Sequence, residues 1–121
     1  GVSLVDVLAV PPGFGGARFD AAVLAKVAAL RQEFPLLDIM VDGGVGPGTA
    51  RAAAEAGANL LVCGSGIFGP SEERCASDGP QGLERRARAI LEEGIKGWVG
   101  SSVAGELGSL GEVFASNYGS P

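Results

Sequence analysis

Residues 37–69 read LDIMVDGGVGPGTARAAAEAGANLLVCGSGIFG, and this stretch decides the fold. Residues 37–41 are a short apolar run that stops at Asp42-Gly43-Gly44, which predicts a strand ending in a glycine turn. Residues 49–56 are alanine-rich and stop at Gly57, a natural helix terminator. Residues 59–63 form another apolar run, ending at Gly64-Ser65-Gly66, and predict a further strand. Toward the N-terminus, residues 2–10 (VSLVDVLAV) read as a strand that runs into Pro11-Pro12-Gly13. In residues 19–34, Val23, Val27, Leu30 and Phe34 are spaced by four, three and four, a helical stripe. Asp20 is placed to cap that helix, Phe19 and Leu24 to staple it, and Pro35 to close it. Toward the C-terminus, a polar loop (70–80) precedes a third helix over 83–93, with Leu83, Ala87, Ile90 and Leu91 on one face and Gly94 after it.

The order is strand, helix, repeated three times. Such alternation defines an α/β chain whose strands are parallel and joined by helical crossovers. The strands are almost continuously apolar, as expected where both sheet faces are covered. Residues 1–94 are therefore read as one structural unit. Residues 95–121 (from KGWVGSSVAG at 96–105 onward) are Gly- and Ser-rich and are expected to be a tail, mostly irregular, with a weak helical tendency over 103–114.

Composition narrows the function. The chain has 121 residues, 14 acidic and 9 basic side chains, a net charge of −5 and no histidine. An acidic chain without clustered Lys and Arg is a poor binder of nucleic acid. No apolar run approaches the ~20 residues of a membrane span. Cys63 and Cys75 form no CxxC pattern and read as one buried apolar thiol and one loop thiol. Without histidine, acid/base work falls to carboxylates.

All three expected strands end in glycine-rich turns: PPGFGG (11–16), DGGVGPG (42–48) and GSGIFG (64–69). In parallel α/β folds ligands bind at the carboxyl ends of the strands. Successive glycine turns there can present several main-chain N–H groups to an anion, most often phosphate. One such turn alone can be mere loop geometry; three in succession point to a phosphate site. Ser65 adds a hydroxyl beside it. Asp42 ends its strand where the alternation turns it toward the interior or mouth of the sheet. A strand-end Asp can be a turn former, but beside these turns it is the candidate catalytic carboxylate and metal ligand. Glu72, Glu73, Glu84, Glu92 and Glu93 read as solvated charges. Arg85, Arg86 and Arg88 read as a mixed polar face. Asp6, inside an apolar strand, fits none of these patterns.

At these motifs the chain resembles the C-terminal half of the ribulose-phosphate 3-epimerase family. That family has PGFGGQ-x-F after a strand, then LDI-x-VDGG-[IV]-GP, AEAGA-[ND] and a strand ending GS-x-[IL]-F. The chain has PGFGGARF (12–19), LDIMVDGGVGPGT (37–49) and AEAGANLLVCGSGIFG (54–69). The resemblance implies the last three βα units of a (β/α)8 barrel. It implies an enzyme that interconverts D-ribulose 5-phosphate and D-xylulose 5-phosphate in the pentose-phosphate pathway through an enediolate. A divalent metal would hold that intermediate, zinc first, with iron, manganese or cobalt as alternatives. Asp42 matches the second of the family's two acid/base aspartates, which is also a metal ligand. Gly13, Phe14, Gly15 and Gly16 match the loop that closes over substrate. Gly43, Gly44, Gly64 and Ser65 match the phosphate-binding turns. The family's other aspartate and its two metal-binding histidines belong to strands that precede these motifs. The chain departs from the family at Pro11 (often Glu), Ala17 (Gln) and Leu8 (Met). The implied partner is a sugar phosphate, in a homo-oligomeric and cytoplasmic (or plastid) parent enzyme. The chain is expected to be a piece of that enzyme, with little turnover alone. A hexulose-phosphate synthase, an epimerase of six-carbon ketose phosphates, or a non-catalytic phosphate-binding half-barrel would share the same layout.

Overall fold

The computed structural model describes residues 1–10, 19–69 and 72–101, with the backbone alone described over 72–78. Three strands, β1 (Leu4–Leu8), β2 (Asp38–Asp42) and β3 (Leu60–Val62), form one parallel sheet in the order β1-β2-β3. Helices α1 (Val23–Glu33), α2 (Pro47–Ala56), α3 (Ser65–Phe68) and α4 (Glu72–Val99) connect and follow them. The α/β class and the parallel sheet are as the alternation predicts.

Strand side chains point alternately to the two faces of a sheet. Val7, Ile39, Val41 and Leu61 take one face, where they join Val23 and Val27 of α1, Ala50 and Ala53 of α2 and Ile90 of α4 in a single core. The opposite face carries Leu4, Asp6 and Leu8 on β1, Asp38, Met40 and Asp42 on β2, and Leu60 and Val62 on β3. On that face Leu8, Leu60 and Val62 are 47%, 41% and 38% exposed. The apolar continuity of the strands predicts cover on both faces. Among the described residues the helices cover one face only, because the core-forming residues of α1, α2 and α4 all pack on the Ile39 and Val41 side. Asp6 is thereby explained: it is exposed, on the open face, in register with Met40.

The helices depart from expectation at several points. α1 begins at Val23, not at residue 19. Asp20 forms an Asx-type turn ahead of it, accepting the Ala22 N–H at 2.9 Å, while its carbonyl accepts the Val23 N–H at 3.2 Å. Phe34, placed on the apolar stripe by spacing, is 51% exposed, and Arg31 is buried in its stead. Val23, Val27 and Arg31 stand four apart, so they share one helix face.

α2 begins two residues early, at Pro47, whose ring suits a first helical turn. The Thr49 hydroxyl oxygen accepts the Gly46 N–H at 2.9 Å, and the hydroxyl lies 3.2 Å from the Gly44 carbonyl. Thr49→Ala should lower unfolding free energy by about 1 kcal/mol, read as an earlier urea midpoint with an unchanged slope. The end of α2 is as expected. Gly57 has φ +118°, the Gly57 N–H donates to Ala54 at 3.0 Å and the Ala58 N–H to Ala53 at 3.1 Å, a Schellman arrangement.

The C-terminal part corrects the expectation twice. The expected loop at 70–80 is helical from Glu72, with a break at Gly79-Pro80, where Gly79 has φ +61°. The helix expected to stop before Gly94 continues to Val99, and Trp98 is buried. Gly97 is a close-approach position, whereas Gly94 is not. At Gly97 a Cβ would collide with the Arg51 carbonyl, and one at Gly94 would lie 3.4 Å from Leu61 Cδ1, an ordinary contact. Residues 102–121 lie outside the described residues. Among the described residues, no helix is long and apolar enough to cross a membrane.

Candidate functional site

Asp42 is the last residue of β2, half-buried, on the open face. Its Cα is in register with Leu8 of β1 on one side and Val62 of β3 on the other, so the carboxylate sits at the middle of the carboxyl edge. The Ala9 N–H donates to the Asp42 carbonyl at 2.7 Å, continuing the β1–β2 ladder to this rim.

The turn that follows requires glycine. Gly43 and Gly44 have φ of +110° and +68°, a region that residues with a Cβ rarely adopt. A Cβ on Gly44 would lie 2.7 Å from the Phe19 nitrogen and 2.9 Å from its Cα, and a Cβ on Gly43 would overlap Val10. Val10 and Phe19 flank the segment that contains Gly13, Phe14, Gly15 and Gly16. Those four lie outside the described residues. Both flanks of that segment nevertheless pack against the turn after Asp42, and the Asp20 N–H donates to the Ala9 carbonyl at 2.7 Å.

Gly64 and Ser65 follow β3 and are exposed, with open space where a Gly64 Cβ would stand. Ser65 opens α3, a single turn that the sequence does not announce. Helix geometry leaves the first N–H groups of such a turn without intrahelical acceptors. A Cβ on Gly66 would collide with the Val45 carbonyl and lie 3.3 Å from Gly46 Cα, so the turns after β2 and β3 are in contact. The structure thus brings Asp42, Gly43, Gly44, Gly64 and Ser65 to one rim.

Arg86, a surface charge by its sequence setting, is in fact half-buried, and its Nε–H donates to the Ile67 carbonyl of α3. Arg85, Arg88, Glu84 and Glu92 conform more closely to a polar face, and Arg88 pairs with Glu84 at 2.9 Å. Cys63 is a free, half-buried thiol whose pKa burial pushes up. The side chain of Cys75 lies outside the described part. Among the described residues, no group of three or more His, Cys, Asp or Glu is placed to hold a metal ion. A cavity of about 330 Å³ between β3 and α4, lined by Leu61, Ile90, Ile95 and Trp98, is apolar and separate from Asp42.

At the amino end of the sheet a different polar group is buried. Arg31, 3% exposed, donates from Nε to the Gly57 carbonyl at 2.9 Å and from Nη1 to the Pro35 carbonyl at 2.7 Å. Nη2 reaches Asn59 Oδ1 at 3.3 Å, and the guanidinium lies 5.6 Å from the Trp98 ring centroid. Asn59 also accepts the Ile39 N–H at 2.8 Å and donates to Asp38 at 2.8 Å. Burial lowers the Arg31 pKa, and the Asp38 charge opposes that shift. This cluster lies at the opposite end of the strands from Asp42 and serves the fold.

The fold and this rim define an α/β chain of parallel βα units with one acid and paired glycine turns at the carboxyl edge. The model of the ribulose-phosphate 3-epimerase family matches residues 1–68, and the chain belongs to that family. A protein of Oryza sativa subsp. japonica named "Ribulose-phosphate 3-epimerase, cytoplasmic isoform" is 56% identical over 71 residues, 59% of this chain and 31% of that protein. The ribulose-phosphate 3-epimerase of Eremothecium gossypii is 50% identical over 68 residues, 56% of this chain and 28% of its own length. That of Bacillus subtilis is 42% identical over 80 residues, 62% of this chain and 37% of its own length. The chain spans about a third of the length of these curated relatives.

Proposed function

We propose that this chain supplies one acid/base carboxylate and the phosphate-binding turns of a ribulose-phosphate 3-epimerase, as the last three βα units of a (β/α)8 barrel. The observation that carries this reading is the meeting, at one rim, of Asp42 with the Gly43-Gly44 and Gly64-Ser65 turns. The reaction assigned to that rim is inversion at C3 of D-ribulose 5-phosphate. Asp42 removes the C3 proton, or returns it, on one face of the sugar; the C3–H electron pair forms the C2=C3 bond while the C2 carbonyl pair moves onto O2, giving the enediolate. A second acid, from outside this chain, does the complementary transfer on the other face, and reprotonation of C3 on the face opposite to removal yields D-xylulose 5-phosphate. The N–H groups of the two turns hold the phosphate, whose remote binding energy aligns C3 with the carboxylate.

The residues of this rim do not make a metal site. Zinc takes three or four protein ligands. The described chain offers the Asp42 carboxylate alone there, and the sequence contains no histidine. A divalent metal, if one served this reaction, would need its other ligands from elsewhere, and the work of this chain is proton transfer and phosphate binding. The cytoplasmic location in the rice protein's name extends to this chain as part of the same proposal.

An epimerase assay with zinc or iron supplied tests the division of labour. The chain alone is expected to give no turnover above background. Clear turnover by the monomer would overturn the assignment of the second acid to another segment.

A further inference from the structure

We propose that residues 103–114 of this chain fold back along α4 as an antiparallel helix and fill the apolar groove between β3 and α4; the inference is independent of the epimerase reading. The groove is the cavity of about 330 Å³ that runs along α4 from Ala87 to Trp98. A cavity of about 150 Å³ takes one benzene ring, so this one has room for roughly two large side chains. It is open to solvent, and Leu60 and Leu91 on its walls are 41% and 37% exposed. Water fills such a space poorly, because an ordered water needs about two to four polar partners. The one amide side chain among the lining residues, Asn59, is already committed to Asp38, Ile39 and Arg31.

The sequence after α4 supplies an apolar occupant. Val103, Leu107, Leu110 and Phe114 are spaced by four, three and four, which sets them on one face of a helix. Gly105, Gly108, Gly111 and Glu112 fall off that stripe. The glycines weaken the helix in isolation, so helix formation and docking are coupled. The lengths agree: eleven residue steps separate Ala87 from Trp98 and Val103 from Phe114, about 17 Å of helix in each case. α4 ends at Val99, and the Ser101 N–H and hydroxyl both donate to the Trp98 carbonyl, at 3.1 and 2.7 Å, which turns the chain off the helix axis beside the groove. Residues 100–102 then suffice as the connection of a helical hairpin, which takes about two to five residues. α4 runs from the carboxyl rim, where Arg86 meets Ile67, to the amino end, where Trp98 meets Arg31. Antiparallel docking therefore sets Val103 beside Trp98 and Phe114 at the Ala87 and Cys63 end, where the small alanine leaves space for a ring.

The test uses the full chain in a Cys75→Ser background, which leaves Cys63 as the only thiol. Amide hydrogens of residues 107–114 should exchange at least about tenfold more slowly than those of an unstructured peptide. With Ala115→Cys added, a short bis-maleimide should join that position to Cys63 within one chain. With Ala104→Cys it should not, because docking holds that end about 17 Å away. Leu107→Asp with Leu110→Asp puts two carboxylates into the groove; it should remove the protection and slow the link from position 115 by about tenfold. Circular dichroism and Trp98 emission check that the variants are folded. If the double variant unfolds the chain, the exchange rates and the comparison of positions 115 and 104 decide the matter. Unprotected amides over 107–114 overturn the proposal. So does protection without a link from position 115 to Cys63, which would seat the segment elsewhere. Links that join two chains assign the groove to a second copy and overturn it as well. An undiminished link in a folded double variant does the same, because the stripe would then not be what docks.

Discussion

Arg31→Ala is expected to cost about 2–4 kcal/mol of unfolding free energy, a large share of the roughly 5–15 kcal/mol that holds a typical domain folded. The side chain satisfies the Gly57 and Pro35 carbonyls and reaches Asn59, and its Cζ lies over the Trp98 ring, 5.6 Å from the centroid. Alanine would leave the buried Gly57 carbonyl without its donor and open a void beside the ring, while the carbonyl of exposed Pro35 can turn to water. Each buried polar group stranded in this way costs about 1–3 kcal/mol. Arg31→Lys should recover only part of the loss, since one ammonium cannot reproduce the fork of contacts. Trp98 is the only tryptophan, so its emission follows the event directly during urea unfolding. A midpoint shift corresponding to less than about 1 kcal/mol would show that the cluster is solvated and dispensable.

Asp42→Asn is expected to reduce epimerisation by about 10²–10⁴-fold in the complete enzyme, the usual contribution of one positioned acid/base group. Asparagine keeps the shape and hydrogen-bonding reach of the carboxylate but cannot accept the C3 proton. The main-chain cradle is untouched, so KM should stay within about threefold while kcat falls. Appearance in D2O of the inverted, C3-deuterated epimer gives the same answer without a coupling enzyme, because the second acid alone can exchange the C3 hydrogen but cannot invert the centre. Inversion at the normal rate in the Asn variant would remove Asp42 from the chemistry.

Much of the carboxyl rim was legible in the sequence. Period-two alternation across 37–42 turned Asp42 toward the interior or mouth of the sheet, and the glycine doublet after it marked a turn, which the structure makes with φ values that residues with a Cβ rarely adopt. The Gly57 stop was legible because a left-handed residue at a helix end is nearly a glycine monopoly. Arg31 was not, because a charged residue on a helix is ordinarily solvent-facing, and only the three-dimensional return of Gly57 and Asn59 gives it partners. Nor was the reach of α4. Glycine in a helix pattern reads as a break, yet α4 runs through Gly94 and Gly97, and at Gly97 the Arg51 carbonyl leaves no room for a side chain. The packing gained by close approach there outweighs the propensity cost of about 1 kcal/mol for a helical glycine. Arg86 was hidden for a similar reason: its acceptor sits in a one-turn helix that carries no periodic signal.

The open side of the sheet alternates aliphatic and anionic residues, with Asp6, Asp38 and Asp42 standing among Leu4, Leu8, Leu60 and Val62. Were two copies to stack on this side, three carboxylates from each would be forced together away from water, at a cost of several kcal/mol per ion. The same surface that is greasy enough to seek a cover is thus self-avoiding toward its own kind, and crowding alone does not bring two copies into register.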